Sequence, residues 1–277
     1  MLSGVARAAV AATRGGQRAP TAGSRMLSGV APSVARAAIV AATQGGEALV
    51  ASADTRMLSR AAVAATQGDE AALLSWLSGG GRVNVTLAGN TLLMLAAASG
   101  HDKVVGILLR HGADADKQDS QGRTALMVAA VGGHGIVVDA LLQHGVDVNR
   151  QNNGGGNALM HAAMEGHELV VDLLLQHGAE VNYQARVGGT ALMLAACSGH
   201  ERVIDALVWG GAAVNLQDSE GDSALMIAAV EGHERVVERL LQHGAQANGA
   251  MIRSMQDSQA HAGVVEVLVR YRFSPLG

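Results

Sequence analysis

The residue types that can ligate metals, transfer protons or hold phosphate are numerous here and regularly spaced. Eleven histidines are spread over 277 residues. The stretch Asn152–Asn182 alone brings His161, Glu165, His167, Glu168, Asp172 and His177 close behind the glycine triplet 154–156. Such a run invites a metal site or a phosphate-binding loop. Both demand more than composition. A phosphate loop needs Gly-Lys followed by Ser or Thr, and neither triplet, at 79–81 or 154–156, has it. A zinc ion needs nitrogens about 2 Å away, whereas five of the histidines, His101, His134, His167, His200 and His233, recur every 33 residues. If each opens one helix of a stack, the ~8–10 Å between packed helices keeps them from sharing an ion. His111, His144, His177 and His243 each precede a glycine, as suits an imidazole at a helix C-terminus. His161 and His261 belong to neither column.

The remaining candidates fare similarly. Met94, Met127, Met160, Met193 and Met226 form a column that could suggest soft-metal ligation, yet methionine at one fixed helical position is an adaptable core filler. Cys197 has no base outside the repeating pattern to activate it. Asn84-Val85-Thr86 spells a glycosylation acceptor, expected to be idle without a secretory signal. No catalytic residue, cofactor site, metal site or small-molecule substrate is expected, and the chain is read as a non-enzyme.

The positioning elements follow from the period. Gly100-His101, Gly133-His134, Gly166-His167, Gly199-His200 and Gly232-His233 punctuate five copies of one phrase, exemplified by "TALMVAAVGGHGIVVDALLQHGVDVN". Thr91, Thr124, Asn157, Thr190 and Ser223 have side-chain oxygens able to cap a helix N-terminus. The glycine nine residues later ends that helix, and the histidine opens a second, closed at Gly112, Gly145, Gly178, Gly211 and Gly244. Val137, Val138, Leu141 and Leu142 give the second helix one apolar stripe. Helices of about ten residues are marginal alone, so each pair must lean on its neighbours in a stack.

The period and phrase resemble the ankyrin repeat, whose signature runs T-P-L-H-x-A-A, G-H, V-V-x-L-L-L, G-A-D-V-N. Here Leu92, Ala125, Ala158, Ala191 and Ala224 replace the proline, and the methionine column replaces the histidine after it. The resemblance implies an all-α solenoid of helix pairs joined by β-turn fingers. It divides the chain into a leader over 1–56, an N-terminal capping repeat over 57–90, five repeats over 91–250 and a truncated C-terminal cap over 251–277. In that last unit Gln256 and Asp257 stand where the double alanine of the other copies would be.

Composition agrees. The chain is 49% apolar with only 2% aromatic residues, which favours thin, similar layers over one large core. No apolar run approaches the ~18 residues of a membrane span. The net charge of −4 hides an asymmetry: residues 1–46 carry five arginines and no acid, leaving 15 basic against 24 acidic groups after them. An acidic body argues against nucleic acid. The leader contains two Ala-rich phrases, beginning at Met1 and Met26, that return imperfectly at Met57. Amphipathic and acid-free, it looks like a mitochondrial transit peptide; the alternative is a duplicated leader without an address. An intracellular, cytoplasmic location is expected, with the mitochondrion as alternative.

Comparing the copies with one another separates positions the stack requires from positions it leaves variable. Variable positions cluster at the turn tips, Ser120, Gln121, Arg123, Asn153, Tyr183, Arg186, Val187, Ser219, Glu220 and Asp222, and at the end of the first helix, Met164, Glu165, Cys197 and Glu231. In proteins that this chain resembles, those groups line a concave groove that grips another protein. The expected function is a non-catalytic interaction module or adaptor, or alternatively a targeting or inhibitory subunit of an enzyme complex. Trp209, where three other copies have glutamine, is either a binding hot spot or a ring lying against a neighbouring helix. The glutamine column Gln118, Gln151, Gln184 and Gln217 is expected to bond successive turns to one another.

Overall fold

A computed structural model of the chain describes residues 53–247 and 262–273. Helices α1 (Ala53–Gln67) and α2 (Glu70–Ser78) are followed by a short antiparallel hairpin, β1 (Thr86–Leu87) with β2 (Asn90–Thr91). Helix pairs then repeat: α3 (Leu92–Ala98) and α4 (Asp102–Arg110), α5 (Ala125–Gly132) and α6 (Gly135–Gln143), α7 (Ala158–Glu165) and α8 (Glu168–Gln176). The series continues with α9 (Ala191–Ser198) and α10 (Glu201–Trp209), then α11 (Ala224–Glu231) and α12 (Glu234–Gln242), and ends in α13 (Ala262–Phe273). The fold is the expected all-α stack of helix pairs. The leader before residue 53 and the expectation for Gln256 and Asp257 lie outside the described residues.

The chain forms two compact units, one running to His161 and including Gln176–Ala179, the other comprising Ala162–Leu175 and the chain from Glu180 on. In the first, α3 lies between α1 and α5 and against α4. Because it is covered by three neighbours, Leu92 to Ala97 are all buried. Its start is fixed by Thr91, whose hydroxyl accepts the Met94 N–H at 3.1 Å; Thr124 does the same for Met127 at 3.4 Å and Asn157 for Met160 at 3.0 Å. In the second unit Thr190 and Ser223 cap α9 and α11. The methionine column is core at Met94, Met127, Met160 and Met193, and half-buried at Met226.

The second helices bury one stripe, Val137, Val138, Leu141 and Leu142 in α6, and turn their other side outward, leaving Ile136 largely exposed. The N-terminal pair departs from the repeats in a functional detail of its own. Asp69, which stands where the others have histidine, caps α2 by accepting the Ala72 N–H at 2.9 Å. Helix α1 begins at Ala53, four residues before the Met57 boundary expected from the pattern. At the other end α13 packs on α12 and buries Val264, Val267 and Leu268.

The Gly-His dipeptide has a second purpose besides punctuation. His101 donates from Nε2 to the Thr66 carbonyl at 2.9 Å, and His134 to that of Ala98 at 3.1 Å. In the second unit His200 reaches Met164 and His233 reaches Cys197, each at 2.9 Å. Each ring thereby satisfies a carbonyl left open at the end of the preceding layer's first helix. The glycine there, in left-handed conformation, lies directly under the ring: a Cβ on Gly100 would come within 2.6 Å of His134 and one on Gly199 within 2.8 Å of His233.

Candidate partner-binding surface

Four turn fingers share one backbone design. In the first unit the backbone N–H groups of Asp119 and Asn152 donate to the carbonyls of Arg123 and Gly156; in the second, those of Ala185 and Asp218 donate to the carbonyls of Gly189 and Asp222. A carboxylate or amide at the first position closes the finger from inside. Asp119 Oδ1 accepts from Gln121 and Arg123, Asn152 Oδ1 from Gly154 and Gly156, and Asp218 Oδ1 from Glu220 and Asp222, all between 2.8 and 2.9 Å. Ala185 has no such side chain and is simply buried.

Within each unit adjoining fingers are tied together. The Asn153 N–H donates to the Gln121 carbonyl at 2.9 Å and its side-chain amide to Ser120 at 3.0 Å. Ser219 repeats this on the Val187 carbonyl, with its N–H at 3.1 Å and its hydroxyl at 3.0 Å. Gln118 bridges to the Gln151 carbonyl at 2.8 Å and Gln184 to that of Gln217 at 3.0 Å, as the glutamine column implied. An asparagine ladder, unanticipated from the sequence, runs along the other end of each turn: Asn84, Asn149, Asn182 and Asn215 donate to the carbonyls of Gly112, Gly178, Gly211 and Gly244. Its signal was present as the Asn that ends four of the five phrases, but its partner lies 28 or 29 residues away, beyond any local pattern.

On these fixed tips Ser120, Gln121 and Asn153 are exposed in the first unit, and Arg186, Val187, Ser219 and Glu220 in the second. At the first-helix ends Glu165 is exposed, while Met164, Cys197 and Glu231 are half-buried; Tyr183 is half-buried at the base of its turn. Trp209 is 82% exposed, so its ring does not lie against a neighbouring helix. The glycine after it sits against Leu175, where a Cβ would come within 2.7 Å of a side-chain carbon.

Two expected surface residues are interior. Arg123 is buried, and its guanidinium clasps Asp119 of its own turn, Nε and Nη2 each 2.7 Å from Oδ2. Asp222 is also buried. Both occupy the last position of the finger, where Gly156 and Gly189 stand in the other copies. Variation there reflects two ways of filling one interior site, a glycine or a charged side chain, and not freedom from structural duty.

Arg123 also explains the stray His161. That ring is fully buried, with Nε2 accepting from the Asn152 amide at 3.1 Å and Nδ1 without a hydrogen-bond partner. Burial, reinforced by the Arg123 charge, pulls its pKa down to about 4. It is a neutral member of the turn's support.

Among the described residues no group of three His, Cys, Asp or Glu side chains is placed to hold a metal ion, and no helix is long and apolar enough to cross a membrane. No curated protein matches the chain. The model of ankyrin repeats in three copies matches residues 61–152, 93–185, 137–218, 159–251 and 192–272. Overlapping matches from residue 61 to residue 272, over helix pairs joined by the fingers just described, leave one conclusion: the chain belongs to the ankyrin-repeat family.

Proposed function

We propose that the chain is a non-catalytic adaptor that binds another protein through its turn tips and first-helix ends. Ankyrin repeats are generally protein-interaction modules and typically lack catalysis, and the composition here agrees with that role. The observation that carries the reading is the pairing of rigidity with variation. Val187, an apolar side chain 44% exposed at a turn tip, rides on a backbone fixed by two bonds from Ser219. A tip held in place loses little conformational entropy when a partner docks. Arg186 and Glu220 stand exposed on the same pair of fingers and supply charge beside the apolar contact.

The test is affinity capture with the native chain and with the triple variant Arg186→Ala, Val187→Ala, Glu220→Ala. A partner retained by the native chain should be lost by the variant while the thermal midpoint stays unchanged. Equal capture by both would remove the tips from the binding surface. Trp209→Ala, tested alongside, reports whether the outer end of α10 takes part.

A second reading, a targeting or inhibitory subunit of an enzyme complex, is favoured by the Arg-rich, acid-free leader. Residues 1–56 fused to a fluorescent reporter should then direct it to mitochondria, whereas diffuse cytosolic signal would exclude that address.

A further inference from the structure

An asparagine side chain can lose ammonia when the backbone nitrogen of the next residue reaches its Cγ. Glycine in that next position leaves the approach open, having no side chain and a permissive backbone. Among the described residues only Asn153 is followed by glycine; every other asparagine precedes a residue with a side chain. Asn248-Gly249 lies outside them. The other fingers hold Ser120-Gln121, Arg186-Val187 and Ser219-Glu220 at those two positions. Asn153 and Gly154 are both exposed, so water reaches them.

The folded finger commits both reacting groups elsewhere. Asn153 turns its amide across to the neighbouring finger, Nδ2 donating to the Ser120 carbonyl at 3.0 Å, while its backbone N–H donates to that of Gln121 at 2.9 Å. The Gly154 N–H donates to Asn152 Oδ1 at 2.9 Å, so the nitrogen that would attack is held on the residue before. Attack requires that nitrogen in line with Cγ at about 3–3.5 Å. The tip must therefore open before the reaction can begin.

We propose that Asn153 is a self-modification site gated by its own finger, converted to aspartate or isoaspartate when the tip opens, and that the product cannot retie the two fingers. Gly154 gives its N–H proton to solvent base and its nitrogen bonds Asn153 Cγ. The Cγ–Nδ2 bond breaks, Nδ2 recovers a proton from water and leaves as ammonia, and a cyclic imide remains. Water then opens the imide at either carbonyl, so the balance is one water in and one ammonia out. Aspartate sets a carboxylate oxygen against the Ser120 carbonyl, where a donor now stands. Isoaspartate adds a methylene to the main chain inside the loop that the Gly155 N–H closes on the Asn152 carbonyl at 2.9 Å. Either product places a negative charge beside Ser120 and Gln121, which are neutral. This inference stands apart from the partner-binding reading, because mass and amide exchange report it without any partner.

Peptide mass spectrometry of the full chain, incubated at mildly alkaline pH with and without urea, tests this by following the exchange of NH2 for OH at Asn153 separately from Asn248. Conversion at Asn153 should be about tenfold or more slower in the folded chain than in urea, because opening of the tip is rare. Asn152→Ala releases the Gly154 N–H and leaves the reacting pair intact; Ala185 fills the same place in another finger, so the turn accepts alanine there. That variant should speed conversion about fivefold in the folded chain and leave the rate in urea unchanged. The consequence is read by hydrogen exchange of the backbone amide at 153. Asn153→Asp should accelerate it about fivefold, whereas Asn153→Ser, able to bond as Ser219 does on the Val187 carbonyl, should leave it unchanged. Equal conversion with and without urea, no effect of Asn152→Ala on the folded chain, or native exchange in Asn153→Asp would each overturn the proposal.

Discussion

His161 occupies the position filled in neighbouring repeats by Leu95, Val128, Leu194 and Ile227, and it is as buried as they are. What distinguishes it is Asn152, the one amide among turn positions that otherwise hold aspartate or alanine, at 3.1 Å from its Nε2. Protonation would cost the desolvation of a buried cation, add repulsion from Arg123, and set two donors face to face. The folded pKa of about 4 therefore lies below the ordinary 6.5, so between those values the unfolded chain binds the extra proton. This contribution is fully present above pH 6.5 and is lost as pH falls toward 4, a change of roughly 3 kcal/mol at most. His161→Leu should flatten that dependence by about one proton relative to the native chain, read from urea midpoints at pH 4.5 and pH 7. An unchanged slope would mean that the ring is solvated or already charged. At this scale the sequence was only half legible. His161 stood out because it belonged to neither histidine column, but its partner did not, because Asn152 reads as ordinary turn chemistry. Arg123 misled for a different reason: its variation between copies suggested the surface, and only the contact of Nε and Nη2 with one oxygen of Asp119 shows how the finger accommodates it inside.

Helix limits were the most legible feature, since each depends on residues next to one another in the chain. Thr124 caps Met127 and Gly133 turns left-handed without help from any other layer. The coupling between layers was less so, because the His233 ring bonds Cys197, 36 residues earlier. That coupling yields an element-scale prediction. Gly199 and Gly211 both have positive φ, 81° and 93°, but a Cβ at 199 meets the His233 ring whereas at 211 nothing lies within 4 Å. Gly211→Ala should cost about 1–2 kcal/mol for the backbone alone. Gly199→Ala should cost about 1 kcal/mol more, the ring being pushed off its carbonyl. If the ring is the cause, combining Gly199→Ala with His233→Ala should recover that excess in a double-mutant cycle of denaturant midpoints. Additive costs would assign the whole effect to backbone conformation.

Across the molecule, the same few side chains recur at the same depth, and this is why length, period and fold class could be read before any coordinate. An internal repeat tests each position several times over: alanines at 129 and 130 and again at 195 and 196 are fully buried, as a thin first helix requires. The proposed binding surface has no such redundancy. Variation between copies fell on exposed tips at Arg186, Val187 and Glu220, yet it could not separate an exposed variable residue from a buried one with an alternative filling, as at Asp222. The distribution of stability should follow the repeated layers and not the charged exterior. Arg235 approaches Glu201 at 3.7 Å, but its side chain is 82% exposed, so solvent screens the pair. Leu207, with no exposed surface, lies among neighbours that cannot fully close around a smaller side chain. Arg235→Ala should therefore shift unfolding by less than about 0.5 kcal/mol and Leu207→Ala by about 2–5 kcal/mol. Urea unfolding followed by circular dichroism at low and high salt checks both. A large, salt-sensitive loss on removing Arg235, or a small one on truncating Leu207, would place the stabilising energy in the surface ion pairs and contradict a stack held by its thin apolar layers.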